Sequence, residues 1–290
     1  MKKVVVKVPG SCGELIQGFY GKNEMLVSYA IDCFSTVTLT ETKHYKLCMD
    51  HVNAKAVVAF KRACDYFELD PNGFSVDISS DIPVGKGMAS STADIVGVLS
   101  AVSIYAGCRP SAQWLGKIAA DIEPTDNIMF SDWVLFDHLN GCAVESLQTI
   151  ENLGVLVLEM DDTVDTERLR QEGAFKKSDK PRASKALDLL REASESGDLK
   201  KLGMAMEVSA FENQIVLYKP FLKELIDLAH GFDLVGINAA HSGTVLGVVY
   251  ESGKDISGFI ESAMEKGYLT PYKKRYIHKI IKGGPRIEIF

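Results

Sequence analysis

The 290-residue chain has no Cys-x-x-Cys pair, no Gly-x-x-x-x-Gly-Lys-Ser/Thr run, no internal repeat and no apolar run long enough to span a bilayer. Its six cysteines lie far apart, which excludes a disulfide framework or zinc site and makes a reduced cytoplasmic interior the natural compartment. The formal net charge of -7 argues against a nucleic-acid surface, which requires a basic face. Residues Met1 to Gly10 place positive charge ahead of an apolar run, but Lys7 and Pro9 break that run before signal-peptide length, so it reads as a first strand. No membrane partner is expected. A composition of 46% hydrophobic and 24% charged residues is that of an ordinary soluble globular protein, with two modest domains expected at 1–150 and 151–290. Nothing in the residues fixes an oligomeric state, and a homodimer stays open.

What the chain does have is a glycine turn that leads into an apolar helix. The alternating run Phe74 to Ile78 has strand character and is stopped by Pro83; Gly85 and Gly87 then let the backbone bend where a side chain would clash. Ser90, Ser91 and Thr92 can cap a helix whose apolar positions, from Ile95 to Ala106, run almost all round, with Gly107 and Pro110 as stops. Such a helix is buried, and its N-terminal N–H groups would face the turn as an anion site, with the Lys86 charge able to reach a β- or γ-phosphate. The turn is not a dinucleotide fingerprint, because no acidic residue follows about 20 positions on. Taken alone, an ordinary strand-turn-helix accounts for it equally well.

The order Pro-x-x-x-Gly-Met-x-Ser-Ser, Pro83 to Ser91, closely resembles the second motif of the GHMP kinases, named for galactose, homoserine, mevalonate and phosphomevalonate kinases. The resemblance implies an α+β, two-domain fold, with an N-terminal ribosomal-protein-S5-like domain and a C-terminal ferredoxin-like domain. It implies ATP held by Pro83, Val84, Gly85, Lys86, Gly87, Met88, Ala89, Ser90 and Ser91, and a Ser91 hydroxyl turned to Mg2+.

Two other regions extend it. After the first strand, Pro9 to Gly18 reads locally as a loop between strands, the next being Met25 to Ile31 and Phe34 to Leu39; by position it resembles the family's first motif, with Ser11, Glu14 and Gln17 as candidates for a polar substrate. Cys12 has no histidine near it in sequence and reads as a small buried thiol rather than a nucleophile. An amphipathic helix from Asn53 to Leu69 is scaffold. A helix from Trp114 to Ile122 ends at Glu123-Pro124-Thr125-Asp126-Asn127, which puts two carboxylates three residues apart across a helix-breaking proline. A solvated helix end would suffice to explain them. Magnesium, however, favours hard oxygen ligands and a second carboxylate can orient an attacking hydroxyl. In mevalonate-type relatives such a glutamate binds metal and such an aspartate faces the acceptor, which implies Glu123 as a metal ligand and Asp126 as catalytic and substrate-facing. The spacing between the two acids is much shorter here than in mevalonate kinases. His138 reads as a turn histidine bonded to Asp137, although base chemistry is open to it.

Beyond the apolar strand at Leu153 to Glu159, Lys176, Lys177 and Lys180 read as a solvated face. Helices are expected at Ala183 to Ser194, Leu199 to Leu217 and Phe221 to Ala229, the last with Pro220 in its first turn. Leu234 to Tyr250 reads as a hairpin whose His241-Ser242-Gly243-Thr244 turn resembles a glycine-poor version of the family's third motif, adding His241 and Ser242 to the substrate candidates. A closing helix at Ile256 to Lys266 and strands at Tyr276 to Ile281 and Ile287 to Phe290 complete the chain.

The physical reading stops at phosphoryl transfer to a small polar alcohol, in which the protein positions reactants and offsets charge. Five segments in order, the first, second and third motifs together with Ile122 to Asp126 and Phe136-Asp137-His138, are similar to the L-threonine kinases, GHMP members that make L-threonine O-3-phosphate for the aminopropanol linker of cobalamin. That implies L-threonine as acceptor. The alternatives are another small alcohol such as homoserine or a mevalonate-like compound, an ATP-dependent decarboxylase on the same fold, or a non-catalytic nucleotide-binding regulator.

Overall fold

The structure is a computed structural model that describes residues 2–42, 49, 52–161 and 183–290. Lys176, Lys177 and Lys180 lie outside the described residues. The chain opens on two long strands, β1 (Lys3–Tyr20) and β2 (Asn23–Glu41), paired from Lys3↔Thr40 to Tyr20↔Asn23. The loop expected over Pro9 to Gly18 is therefore part of β1, and the two strands expected after it are one. Register shifts after Pro9, Ser11 and Glu14 absorb the missing proline donor and the left-handed Gly13, so the ladder resumes on the far side.

Then follow α1 (Ala54–Tyr66), β3 (Phe74–Ser80), α2 (Ser90–Tyr105), α3 (Ala112–Ala120), β4 (Trp133–Asp137), β5 (Cys142–Leu147) and β6 (Leu153–Met160). The C-terminal part contributes α4 (Ser184–Ser196), α5 (Leu199–Asn213), α6 (Leu222–Gly231), β7 (Gly236–Ala239), β8 (Val245–Glu251), α7 (Ser257–Glu265), β9 (Tyr272–Ile281) and β10 (Arg286–Ile289). Pro220 precedes α6 rather than sitting in its first turn, because Phe221 takes a left-handed conformation at the cap.

Antiparallel pairings run β1-β7-β8-β6-β9-β2 and return from β2 to β1, so six strands close a ring; β10 adds to β1, β3 and β4 to β2, and β5 to β4. The closure at β1–β7 is one residue pair, Glu14↔Ala239. That junction brings the first motif against the third.

Helix α2 packs on β1 and β2 between α1 and α3, and of its sixteen residues only Ser91 and Tyr105 escape burial. An all-round apolar helix is a core helix, and this one anchors the larger hydrophobic cluster. Its buried Asp94 accepts bonds from Ser35 Oγ (2.5 Å) and Asn53 Nδ2 (2.7 Å), and Asn53 also caps α1 through Ala56 N–H. A second cluster, Leu156 and Leu158 with Leu225, Ile237, Val248, Phe259 and Tyr272, is built wholly from residues after 150.

Candidate active site

The turn from Pro83 to Ala89 is held from behind. Ser11 N–H donates to Met88 O (3.1 Å), Gly13 N–H to Gly87 O (3.0 Å) and Thr244 N–H to Lys86 O (2.9 Å). In a trans peptide the N–H points opposite to the C=O, so carbonyls engaged by β1 and the β7–β8 turn leave the following amides directed at the cleft. Ala89 occupies the cap position of α2 in a left-handed conformation (φ 60°, ψ 26°) with no side-chain cap. The expected capping by Ser90, Ser91 or Thr92 is thus corrected: Ser91 Oγ donates to Glu123 Oε1, and Thr92 Oγ1 is shared with Thr125 Oγ1 (3.0 Å) and Asp126 N–H (3.3 Å). The first N–H groups of α2 are left for a ligand.

Lys86 also departs from expectation. Its ammonium turns away from the cleft, donates to Met160 O (2.7 Å) and Asp161 O (3.0 Å), and lies 3.4 Å from the Glu159 carboxylate. Glu159 is 1% exposed, and a carboxylate that deep needs a cation beside it, so the lysine charge is spent on β6 instead of a phosphate. The other turn residues, Pro83, Val84, Gly85, Gly87, Met88, Ala89, Ser90 and Ser91, line the cleft.

Across from them stand the acids. Glu123 is held by Ser91 on one oxygen and by Lys55, from the first turn of α1, on the other. Ser91 and Glu123 therefore offer a hydroxyl and a carboxylate side by side at the mouth of the phosphate turn. That donor pair fits Mg2+, which takes few protein ligands and fills its other positions with phosphate and water. Among the described residues there is no cluster of three or more His, Cys, Asp or Glu. Asp126 sits further in, its Oδ1 accepting from Ser28 Oγ (2.6 Å) and its Oδ2 from Ser11 Oγ (3.4 Å). Burial, and then the charge of Glu14, pushes its carboxyl up to about 7 against the pull of those two hydroxyls.

Glu14, Gln17 and Ser242 also line the cleft, whereas Ser11 and His241 lie behind its wall. His241 gives its backbone N–H (2.9 Å) and its Nδ1 (3.2 Å) to Glu14 Oε2, while its Nε2 meets Ser209 Oγ at 2.9 Å. It positions Glu14 and does not face the cleft. His138 is 3% exposed and lines the cleft, with Nε2 3.6 Å from Glu24 Oε1; its expected bond to Asp137 is absent, because Asp137 instead takes the N–H groups of Leu139 and Asn140.

A model of the GHMP kinases N terminal domain matches residues 53–132, which contain the turn, α2 and both acids. The L-threonine kinase of Salmonella typhimurium is 34% identical over 292 residues, 98% of this chain and 95% of its own length. The chain belongs to the GHMP kinases. The L-threonine kinase of Citrobacter freundii is 30% identical over 291 residues, 98% of this chain and 99% of its own. The fold is shared with a solved homoserine kinase from Cytophaga hutchinsonii, at a TM-score of 0.74 and 15% identity over 99% of this chain and 97% of that one.

Several residues of this GHMP kinase site carry no sequence signal. Ser28 reaches Asp126 from β2 and Lys55 reaches Glu123 from α1; neither lies in a motif. Thr92 alone was within reach, one residue past the Ser-Ser pair. Cys12 is buried and its thiol is pushed up to about 12 by burial, so the inert-thiol reading holds.

Behind the Glu14 end, Lys219 is 1% exposed and its ammonium has no hydrogen-bond partner among the described residues. Burial draws its pKa down to about 8, with the charge of Glu14 opposing. An unfolded lysine titrates near 10.4, so from about pH 8 to 10 the unfolded chain binds more protons than the folded one. The penalty is full below pH 8 and fades as pH rises. Lys219→Met is expected to stabilise this GHMP kinase at pH 7, by up to roughly 3 kcal/mol, and to lose that advantage by pH 10. Thermal melts at the two pH values check it; a lower melting temperature at pH 7 would mean that the ammonium is compensated.

Proposed function

We propose that this kinase transfers the γ-phosphoryl group of ATP to the side-chain hydroxyl of L-threonine, giving L-threonine O-3-phosphate of the kind used for the aminopropanol linker of cobalamin, in the cytoplasm. The observation that carries the transfer is the placement of Asp126, held by two serine hydroxyls, in the same cleft as the amide-lined turn. The near full-length similarity to L-threonine kinases supports the choice of acceptor.

In this reading the turn from Gly85 to Ser90 grips the phosphates through backbone N–H groups, and Ser91 and Glu123 hold the metal. Magnesium, when bound, offsets the charge of the transferring phosphoryl group. Asp126 aligns the acceptor hydroxyl and takes up its proton as the transfer proceeds; an alcohol is too weak an acid to lose it beforehand. Glu14, fixed by His241, and Gln17 face the rest of the acceptor.

The test is ADP formation by purified protein with Mg-ATP and, separately, L-threonine, L-serine, L-homoserine and mevalonate. Turnover with L-threonine above the others is expected. Preference for homoserine or mevalonate would move the acceptor assignment, carbon dioxide release would make the protein a decarboxylase, and no turnover with any alcohol would leave a nucleotide-binding regulator.

A further inference from the structure

We propose that Glu159, which lies outside every motif, is a positioning residue for the phosphate turn and shapes it through a buried ion pair with Lys86. This rests on the reading of that turn as the nucleotide cradle and names what fixes its shape.

The turn has little stiffness of its own. Lys86 stands between Gly85 (φ 73°) and Gly87 (φ 80°), two residues free to leave the left-handed region, so the conformation must be imposed from outside. It is imposed at both ends of the lysine. Lys86 O accepts from Thr244 N–H (2.9 Å), Thr244 O accepts from Met160 N–H (3.2 Å), and Met160 O accepts from Lys86 Nζ (2.7 Å). These three hydrogen bonds close a ring through the phosphate turn, the β7–β8 turn and the end of β6. Glu159, one residue earlier on β6, sets its Oε1 3.4 Å from Lys86 Nζ. The strand is a fixed support, because position 159 is paired on both sides, with Val245 of β8 and Lys274 of β9.

A carboxylate is out of place there. Val155, Val157 and Glu159 share one face of β6, and the two valines belong to the larger hydrophobic cluster, so the alternation calls for an apolar side chain at 159. Instead Glu159 and Lys86 are 1% and 7% exposed, and Glu159 also accepts from the Tyr276 hydroxyl on Oε2 (2.9 Å) and lies 3.5 Å from Lys274 Nζ. A buried ion pair is a poor source of stability, since apolar residues of similar volume often serve as well or better. What this pair supplies is geometry. An ammonium that must meet both a carboxylate and Met160 O leaves the lysine backbone, and with it the neighbouring amides that face the cleft, little freedom of position.

The test measures, by calorimetry, the affinity for Mg-ADP and for a non-hydrolysable ATP analogue with Mg2+, at a temperature well below the melting point of every variant. Lys86→Met and Glu159→Gln should each weaken both nucleotides by about tenfold, and the double variant by little more than either alone, since both act through one contact. Each single variant leaves the other residue with partners: Glu159 keeps Tyr276 and Lys274, and Lys86 keeps Met160 O and Asp161 O. Tyr276→Phe removes only the hydroxyl on Glu159, at a residue that does not line the cleft, and should give a smaller loss of the same kind. Where Glu159→Gln does not fold, that variant decides, and an unchanged affinity in it overturns the proposal. Unchanged affinity in Glu159→Gln overturns it too: if Lys86→Met alone weakens binding, the lysine is a direct phosphate ligand, and if neither does, the pair is structural only. Additive losses in the double variant have the same consequence. No acceptor enters these measurements, so the proposal can fail in an enzyme that phosphorylates L-threonine, and it can stand when the acceptor proves to be a different alcohol.

Discussion

Replacing Asp126 by asparagine is expected to lower kcat for the acceptor by roughly 10²–10⁴-fold while changing the KM for ATP only a few-fold. The asparagine keeps the shape of the side chain; its one oxygen can still accept from Ser28 Oγ, while its amide nitrogen takes the place of the oxygen that faces Ser11 Oγ. It cannot take a proton from the acceptor hydroxyl, and its amide nitrogen would offer a donor where the hydroxyl proton must go. The phosphate turn is held by β1 and the β7–β8 turn, with no bond to the Asp126 side chain, so nucleotide binding has no reason to fail. A silent Asp126→Asn would remove the acceptor-side assignment while leaving the fold intact.

The same substitution should raise stability at neutral pH. Burial and the neighbouring Glu14 lift the Asp126 carboxyl to about 7, against about 3.9 in an unfolded chain. Between those values the folded protein keeps a proton that the unfolded chain has released. The resulting contribution to stability is complete below about pH 4 and is lost as pH rises through 7. Asparagine cannot ionise, so the melting temperature of the variant should pull ahead of the wild type between pH 5 and 8. Over that range kcat/KM of the wild type should climb, with an inflection near 7 that the variant lacks, since the active form is the ionised one. Opposite pH slopes for stability and activity in one group mark a carboxylate kept for chemistry at the expense of the fold.

How much of this could be read from the residues alone depends on range. The course of α2 was legible because its apolar positions, its glycine turn and its stop signals all lie within about thirty residues, and the hairpin at β7–β8 likewise announces itself locally. Both acids were found because they flank one proline. What failed was decided elsewhere in the chain. Lys86 looks like a phosphate ligand until the buried Glu159 of β6 claims it. His241 looks like a substrate ligand until Glu14 and Ser209 take both its nitrogens. His138 was passed over because its sequence neighbour Asp137 offers a bond that the turn geometry gives to backbone amides instead. Pro9 and Gly10 suggest a loop, yet β1 runs through them because β2 pairs with it along nearly its whole length.

Gly243→Ala should damage nucleotide binding although residue 243 does not itself line the cleft. A Cβ at position 243 would lie 2.2 Å from Lys86 O, 2.3 Å from Gly87 Cα and 2.5 Å from Gly87 N, all backbone atoms with no flexible end to swing aside. Either the β7–β8 turn or the phosphate turn must move, and the bond from Thr244 N–H to Lys86 O that joins them is strained in both cases. Overpacking of this kind costs about 1–3 kcal/mol or more, which at the phosphate turn reads as a roughly ten- to hundredfold rise in the KM for ATP. Gly87 is the other half of the seam. It sits at φ +80°, and a Cβ there would meet Ala240 Cβ at 2.6 Å and Gly243 Cα at 2.8 Å, so Gly87→Ala adds backbone strain to the same collision, and Gly87→Val a larger one. Once one turn has shifted to admit the first methyl, the second finds part of its space already open. The double variant is therefore expected to cost less than the two single variants added together, measured as the change in ATP affinity. Strict additivity would mean that the two glycines act on separate structures, and an unchanged KM for ATP in Gly243→Ala would mean that the β7–β8 turn does not set the shape of the cradle.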